Sequence, residues 1–221
     1  LDTETTGLNP KSGHRIVEIG CVEMINHVST GEVFHVYINP ERDMPEEAFK
    51  VHGLSKEFLK DKPLFAKVVD DFIDFIGDSP LIIHNAAFDM GFLNWELDKL
   101  SKPILAMTRA IDTVKMARKK FPGAQASLDA LCRRFSIDNS NRTLHGALLD
   151  AELLAEVYLE LMGGRQTGLG LGVEEEAISV DAQIKVEKRQ QHKARSFAPS
   201  DDELSAHAAF IDQLSDPIWR S

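Results

Sequence analysis

Cysteine is scarce: Cys21 and Cys132 are the only two in 221 residues, and each lies in an apolar stretch. Two thiols so far apart make no disulfide framework, and neither has a CxxC neighbour that would suggest zinc. They read as buried thiols in a reducing compartment, so the expected location is cytoplasmic. The chain also lacks an apolar run long enough to span a bilayer, and no signal peptide is evident, so a membrane role has no support. Positive charge is in deficit, with 25 Lys and Arg against 35 Asp and Glu and a formal net charge of −10. That balance excludes holding nucleic acid on a general basic surface, because such binding rests on cations that neutralise phosphates. An acidic enzyme of nucleic acids would need bound cations, a local basic rim, or a partner that delivers the substrate. No internal repeat is visible. Leu1 stands directly before Asp2, so the strand carrying Asp2 is expected to lack its first residues, as in an N-terminally trimmed chain.

What is present suffices for one sizeable core, since 43% of the residues are hydrophobic. Residues 16–24 (IVEIGCVEM) and 33–38 (VFHVYI) are apolar and β-rich, with a turn expected at Ser29, Thr30 and Gly31. Pro45 and Gly53 bracket a short helix, with the proline just inside its start. A helix follows Pro63, with Val68, Val69, Phe72, Ile73 and Ile76 on one face. LIIH (81–84) reads as a short buried strand, residues 85–88 as a turn, and about 89–100 as a helix starting at Asp89. Residues 106–113 suggest a further strand. Ser127 caps a helix whose Leu128, Leu131, Cys132 and Phe135 recur at helical spacing, and another helix spans about 147–162. Strands first, then strands alternating with helices, predict an α/β fold: a mixed sheet flanked by helices.

Several acids sit where acids are expensive. Asp2 and Glu4, at i and i+2 on a strand, point to one face and repel each other. Taken alone they could be surface acids on an edge strand. Asp89, placed at a helix start, could simply complement the helix dipole. Asp150 lies inside the apolar helix HGALLDAELLAEVYL, where a carboxylate is costly unless paired or metal-bound. His145 precedes it by five residues, and a lone histidine is more often structural than catalytic. Taken together, four acids at strand ends and helix starts make a site for hard cations with oxygen ligands. Two such ions suit in-line displacement at a phosphodiester. Histidine titrates near pH ~6.5, so His145 suits a general base.

Three motifs, in order, carry a resemblance. LDTETTGL (1–8), LIIHNAAFDMGFL (81–93) and LHGALLDA (144–151), with its H-x-x-x-x-D spacing, resemble the signatures of the DEDDh exonucleases. VHGL (51–54), FPG (121–123) and SLDALCRRFSIDNSNRTLHGALLDA (127–151) are similar to the epsilon, proofreading, subunits of bacterial DNA polymerase III. The resemblance runs from residue 1 to about 164 and is patchier beyond. It implies a ribonuclease H-like fold and removal of nucleotides from a DNA 3′ end. It assigns two divalent cations, Mg2+ or Mn2+, to Asp2, Glu4, Asp89 and Asp150, and the general base to His145. It also implies substrate contacts by Asp2, Glu4 and Asp150 themselves, by Thr3 and Thr5, and by Val51, His52, Asn85 and Phe88. Core packing is an equal expectation for Phe88, and a structural role is expected for His84.

The character of the sequence changes at Gly163. Residues 165–199 are glycine-rich and then polar, and are expected to form a flexible linker between an exonuclease domain (1–164) and a tail (200–221). Ser200 and Glu203 form a capping box, followed by an apolar stripe of Leu204, Ala208, Ile211 and Leu214, with Phe210 and Trp219 nearby. By resemblance the tail docks the polymerase alpha subunit. The same helix could instead pack on its own domain. QTGLGL (166–171) resembles a sliding-clamp peptide, with Gln166, Leu169 and Leu171 as anchors, although plain linker is nearly as good a reading. A tether would suit the acidic charge, since it concentrates primer ends without basic surface. Two other readings stay open: a stand-alone DEDDh exonuclease acting on RNA or repair DNA ends, and a non-catalytic polymerase adaptor.

Overall fold

The computed structural model describes residues 1–164 and 198–213. The chain divides into two compact units, residues 1–172 and 173–221. The first holds a three-stranded antiparallel sheet, β1 (Asp2–Thr5), β2 (Ile16–Ile25) and β3 (Val28–Tyr37), in that order. It also holds a parallel pair, β4 (Leu81–Ile83) and β5 (Ala110–Asp112). The Leu1 amino group donates to the Ile82 carbonyl at 2.9 Å, which sets the start of β1 beside β4. The helices are α1 (Glu46–His52), α2 (Lys56–Leu59), α3 (Phe65–Ile76), α4 (Ala86–Lys99), α5 (Thr113–Lys120), α6 (Leu128–Phe135) and α7 (Ala147–Leu161). Helices flank the sheets, as the order of elements predicted.

Two apolar clusters hold these layers. One packs Ile19 and Cys21 of β2 against Phe72 of α3 and Met90, Phe92 and Leu93 of α4. The other joins Leu131 and Cys132 of α6 to Leu153, Leu154 and Val157 of α7. Each buried side chain of this size contributes roughly 1.5–3 kcal/mol. Both cysteines are buried and unbridged. At the far end of α4, Glu96 is 2% exposed and meets Arg15 in a two-pronged pair at 2.5 and 2.9 Å. That pair pins the start of β2 to α4.

Several local expectations are corrected. The hairpin turns at Asn26 and His27, not at residues 29–31. Both have positive φ, 51° and 65°, and Ile25 pairs with Val28. A two-residue turn of this hand matches the strand twist, so the Ser-Thr-Gly stretch remains in β3. Helix α4 starts at Ala86 rather than Asp89, because Asn85 adopts the left-handed conformation (φ 67°) and reverses the chain one turn sooner. Pro45 is the residue before α1, not inside it. Residues 106–113 are only partly strand. Met107–Arg109 is a 3-10 turn tied down by Arg109, which donates to the carbonyls of Gly77 and Ser79. Asp112 then caps α5 by accepting from the Val114 and Lys115 amides. Helix α5 itself was not anticipated.

In the second unit, Ser200 and Glu203 close the expected capping box on α8 (Asp201–Ile211), and Leu204 and Phe210 are exposed. The expected linker up to residue 197, the clamp-like residues 166–171, Leu214 and Trp219 lie outside the described residues. Among the described residues, no helix is long and apolar enough to cross a membrane.

Gly20 on β2 is where α7 crosses the sheet. A Cβ there would overlap the backbone of Ala147 and Leu148. Gly20→Ala is therefore expected to destabilise the protein by roughly 1–3 kcal/mol and to displace α7. Urea denaturation checks this, and unchanged stability would show that the crossing is looser than drawn.

Candidate active site

The antiparallel register puts Asp2 opposite Gly20 and Glu4 opposite Glu18. Opposed residues in such a ladder share a face, so both acids lie on the side that α7 crosses. The first turn of α7 carries Asp150, and the first turn of α4 carries Asp89. The loop before α7 supplies Arg142 and His145. All five residues singled out from the sequence, Asp2, Glu4, Asp89, His145 and Asp150, line one cleft of about 290 Å³. The ligand atoms of Glu4, His145 and Asp150 lie within 4.8 Å of one another.

The cleft is electrostatically strained. Burial and the neighbouring Asp89, Glu4 and Asp150 push the Asp2 carboxyl well above its ordinary range. Burial, together with Asp150, Glu18 and Asp89, raises Glu4 to about 8. Burial raises Asp89 to about 6, although the Thr3 hydroxyl and amide donate to it at 2.7 and 3.0 Å and oppose the rise. Asp150 behaves differently. Burial pushes it up, but Arg142 and His145 together outweigh burial and leave it below the ordinary value. The guanidinium donates to both Asp150 oxygens, at 2.5 and 2.6 Å. It reaches Asp129 at 2.8 Å and His145 Nδ1 at 2.7 Å. Arg142 was missed from the sequence. Its only signal was its place in a polar loop, three residues before His145 and eight before Asp150.

A second cavity of about 440 Å³ shares Thr3, Glu4 and Phe88 with the cleft and extends over Thr5, Val51 and His52. Val51 is exposed, and its carbonyl accepts the His145 amide at 3.0 Å. His52 is buried. Its Nδ1 accepts the Leu54 amide at 3.0 Å, so Nε2 carries the proton, and Nε2 has no partner among the described residues. Thr5 spends its hydroxyl on the Gly7 carbonyl at 2.7 Å. Phe88 packs on the core, with Phe92 at 5.0 Å between ring centroids, and also lines both cavities. His84 lines the cleft and contacts Thr113 at 2.9 Å. Asn85 is not brought in; it is exposed at the start of α4 and lines neither cavity.

The exonuclease family model matches residues 1–158. The DNA polymerase III subunit epsilon of Rickettsia conorii is 54% identical over 217 residues, covering 97% of this chain and 94% of that protein. The chain belongs to the exonuclease family, among the DNA polymerase III epsilon subunits. Among solved structures, Exonuclease X in complex with 5′ overhanging duplex DNA is 26% identical, with a TM-score of 0.56, covering 73% of this chain and 88% of that one. The nuclease domain of 3′hExo, a DEDDh family member bound to rAMP, shares the fold at 20% identity and a TM-score of 0.64, with the same coverage, 73% and 88%. For an exonuclease of this family the donor set fits divalent cations. Its acids are buried, crowded and held above their usual pKa, a penalty that bound cations remove.

Glu4 gives a pH signature in chelator-treated protein. In the folded state it keeps its proton to about 8, whereas unfolded it releases it near ~4.3. The folded state thus binds more protons in that window, and its stability falls as pH rises. Relative to Glu4→Gln, the wild type is expected to lose up to roughly 5 kcal/mol between pH ~4.5 and ~8. Parallel stability curves for the two proteins would refute the placement of Glu4.

Proposed function

We propose that this chain is the proofreading exonuclease of a replicative DNA polymerase, removing mispaired nucleotides from primer 3′ ends with Mg2+ or Mn2+ between its carboxylates. The observation that carries this reading is the convergence of Asp2, Glu4, Asp89, Asp150 and His145 in one cleft, beside a second cavity that shares Thr3, Glu4 and Phe88 with it. Bound between the carboxylates, divalent ions would neutralise the phosphodiester and activate a water.

The rest belongs to the chain's own residues. Asp2, Glu4, Asp89 and Asp150 would hold the ions, leaving the terminal phosphorus open to in-line attack by water with departure of the 3′-oxygen. His145 takes the proton from the water. Thr3 fixes Asp89 through two hydrogen bonds. The exposed side of Val51 and the Phe88 ring offer apolar surface to whichever base enters, because every base has a stacking face. His52, although buried, lines the same cavity. No wrong base need be recognised. A mispaired end frays at lower cost than a paired one, and the cleft admits whatever end has melted.

The net charge of −10 favours a tethered enzyme over a free one. We assign residues 1–164 to the exonuclease domain, 165–199 to a linker and 200–221 to docking on the polymerase alpha subunit, in the bacterial cytoplasm. The exposed Leu204 and Phe210 on the capped α8 support the docking role. A sliding-clamp contact at Gln166, Leu169 and Leu171 belongs to the same proposal.

On a 5′-labelled primer, a mispaired 3′ end is expected to be degraded faster than a paired one; equal rates would sink the fraying account. His145→Gln should lower kcat by about 10²–10⁴-fold while Mn2+ binding persists, and a kcat within twofold of wild type would exclude it as the base. Deleting residues 200–221 should abolish co-purification with the polymerase and leave hydrolysis of single-stranded DNA intact. Retained co-purification would refute the docking assignment.

A further inference from the structure

Among the described residues Arg142 is the one Lys or Arg lining the acidic cleft, and it occupies the atoms that the reaction needs. Its side chain is 7% exposed, and that of Asp150 is 4%. The guanidinium fork takes both Asp150 oxygens at 2.5 and 2.6 Å. The same Nη2 lies 2.7 Å from His145 Nδ1. A guanidinium has no acceptor, so Nδ1 must accept this bond, and neutral His145 then carries its proton on Nε2. The lone pair of the proposed base is therefore already in use. A second anchor, Asp129 Oδ1, receives Nη1 at 2.8 Å and is itself held by the Asn139 amide at 3.0 Å. Two of the three groups that could grip an ion together, His145 and Asp150 but not Glu4, are thus bonded to one arginine.

Physical chemistry gives this arrangement a direction. With no divalent ion, a buried carboxylate beside Glu4 and Asp2 is costly, and a permanently charged arginine supplies the missing cation. When a divalent ion enters, two positive groups compete for the same oxygens at contact distance, and the singly charged one is the weaker competitor. Asp129, at the cleft's rim and not among the proposed ion ligands, can retain the arginine after it lets go.

We propose that Arg142 is a displaceable counter-cation: it masks Asp150 and His145 in the ion-free enzyme and is expelled from both by divalent ions, which unmasks the fourth ligand and the general base together. This rests on the reading of Asp150 as an ion ligand and His145 as the base. It makes Arg142 a positioning residue whose contacts differ between the ion-free and loaded states.

The test uses the full chain with 15N-labelled arginine, stripped of metal. The Arg142 Nε–H resonance, assigned by its loss in Arg142→Lys, is expected to be shifted and slow to exchange in the ion-free protein. It should move into the fast-exchanging envelope of solvent-exposed arginines as Mg2+ is added. In parallel, Mn2+ binding is followed by electron paramagnetic resonance. Arg142→Gln is expected to bind Mn2+ roughly tenfold tighter than wild type, because nothing has to be displaced. An Arg142 resonance that stays put while Mn2+ binds with wild-type stoichiometry would overturn this proposal and leave the ion-site assignment standing. Absence of Mn2+ binding to the wild type would overturn both. The resonance experiment reads the wild-type protein, so it decides even if Arg142→Gln fails to fold.

Discussion

Helix α7 crosses β2 so closely at Gly20 that no side chain fits between them, and the geometry of the cleft follows from that contact. The crossing brings Asp150, in the helix's first turn, to the face of the sheet that carries Glu4 and Asp2. Mutual repulsion of the carboxylates opposes it. The opposing force is apolar and lies further along the same helix, where Leu153, Leu154 and Val157 are buried against α6. Because these residues anchor α7 away from the acids, the acids can stay crowded without the helix drifting off the sheet. The cleft is thus a place where packing free energy holds charges in an arrangement they would not choose.

Charge in the cleft is managed in two ways. Asp2, Glu4 and Asp89 are pushed towards keeping their protons, chiefly by burial, whereas Arg142 and His145 together hold Asp150 below its ordinary value. Both arrangements are provisional, since a divalent cation can replace a proton and a guanidinium alike. The second cavity is not mechanically independent of the first. The Val51 carbonyl holds the His145 amide, and Gly53, in the left-handed conformation after α1, lies against Leu144. The floor of the second cavity and the loop carrying the proposed base are therefore one mechanical unit.

Elements with a clear apolar stripe, alternation or apolar run were legible. The apolar faces of α3, α6 and α7, and the alternation that puts Asp2 and Glu4 on one side of β1, needed no tertiary information. Short elements failed where a single backbone conformation decided them. Asn26 and His27 turn the hairpin three residues before the Ser-Thr-Gly stretch that composition favoured, and left-handed Asn85 starts α4 one turn early. Helix α5 is as long as α6 but half basic, so its few apolar residues, Val114, Met116 and Ala117, gave no readable stripe.

Residue type and order determined which five groups could do chemistry, because hard-cation ligation and proton transfer limit the choice to carboxylates and histidine, and the motif spacing named them. Tertiary structure decided what else stands among them. Arg142 is an ordinary residue of a polar loop until the α6–α7 connection folds its guanidinium between Asp129, His145 and Asp150. A sequence states which residues can ionise. Only the fold sets the distances and burial that determine which charges must be neutralised, and by what.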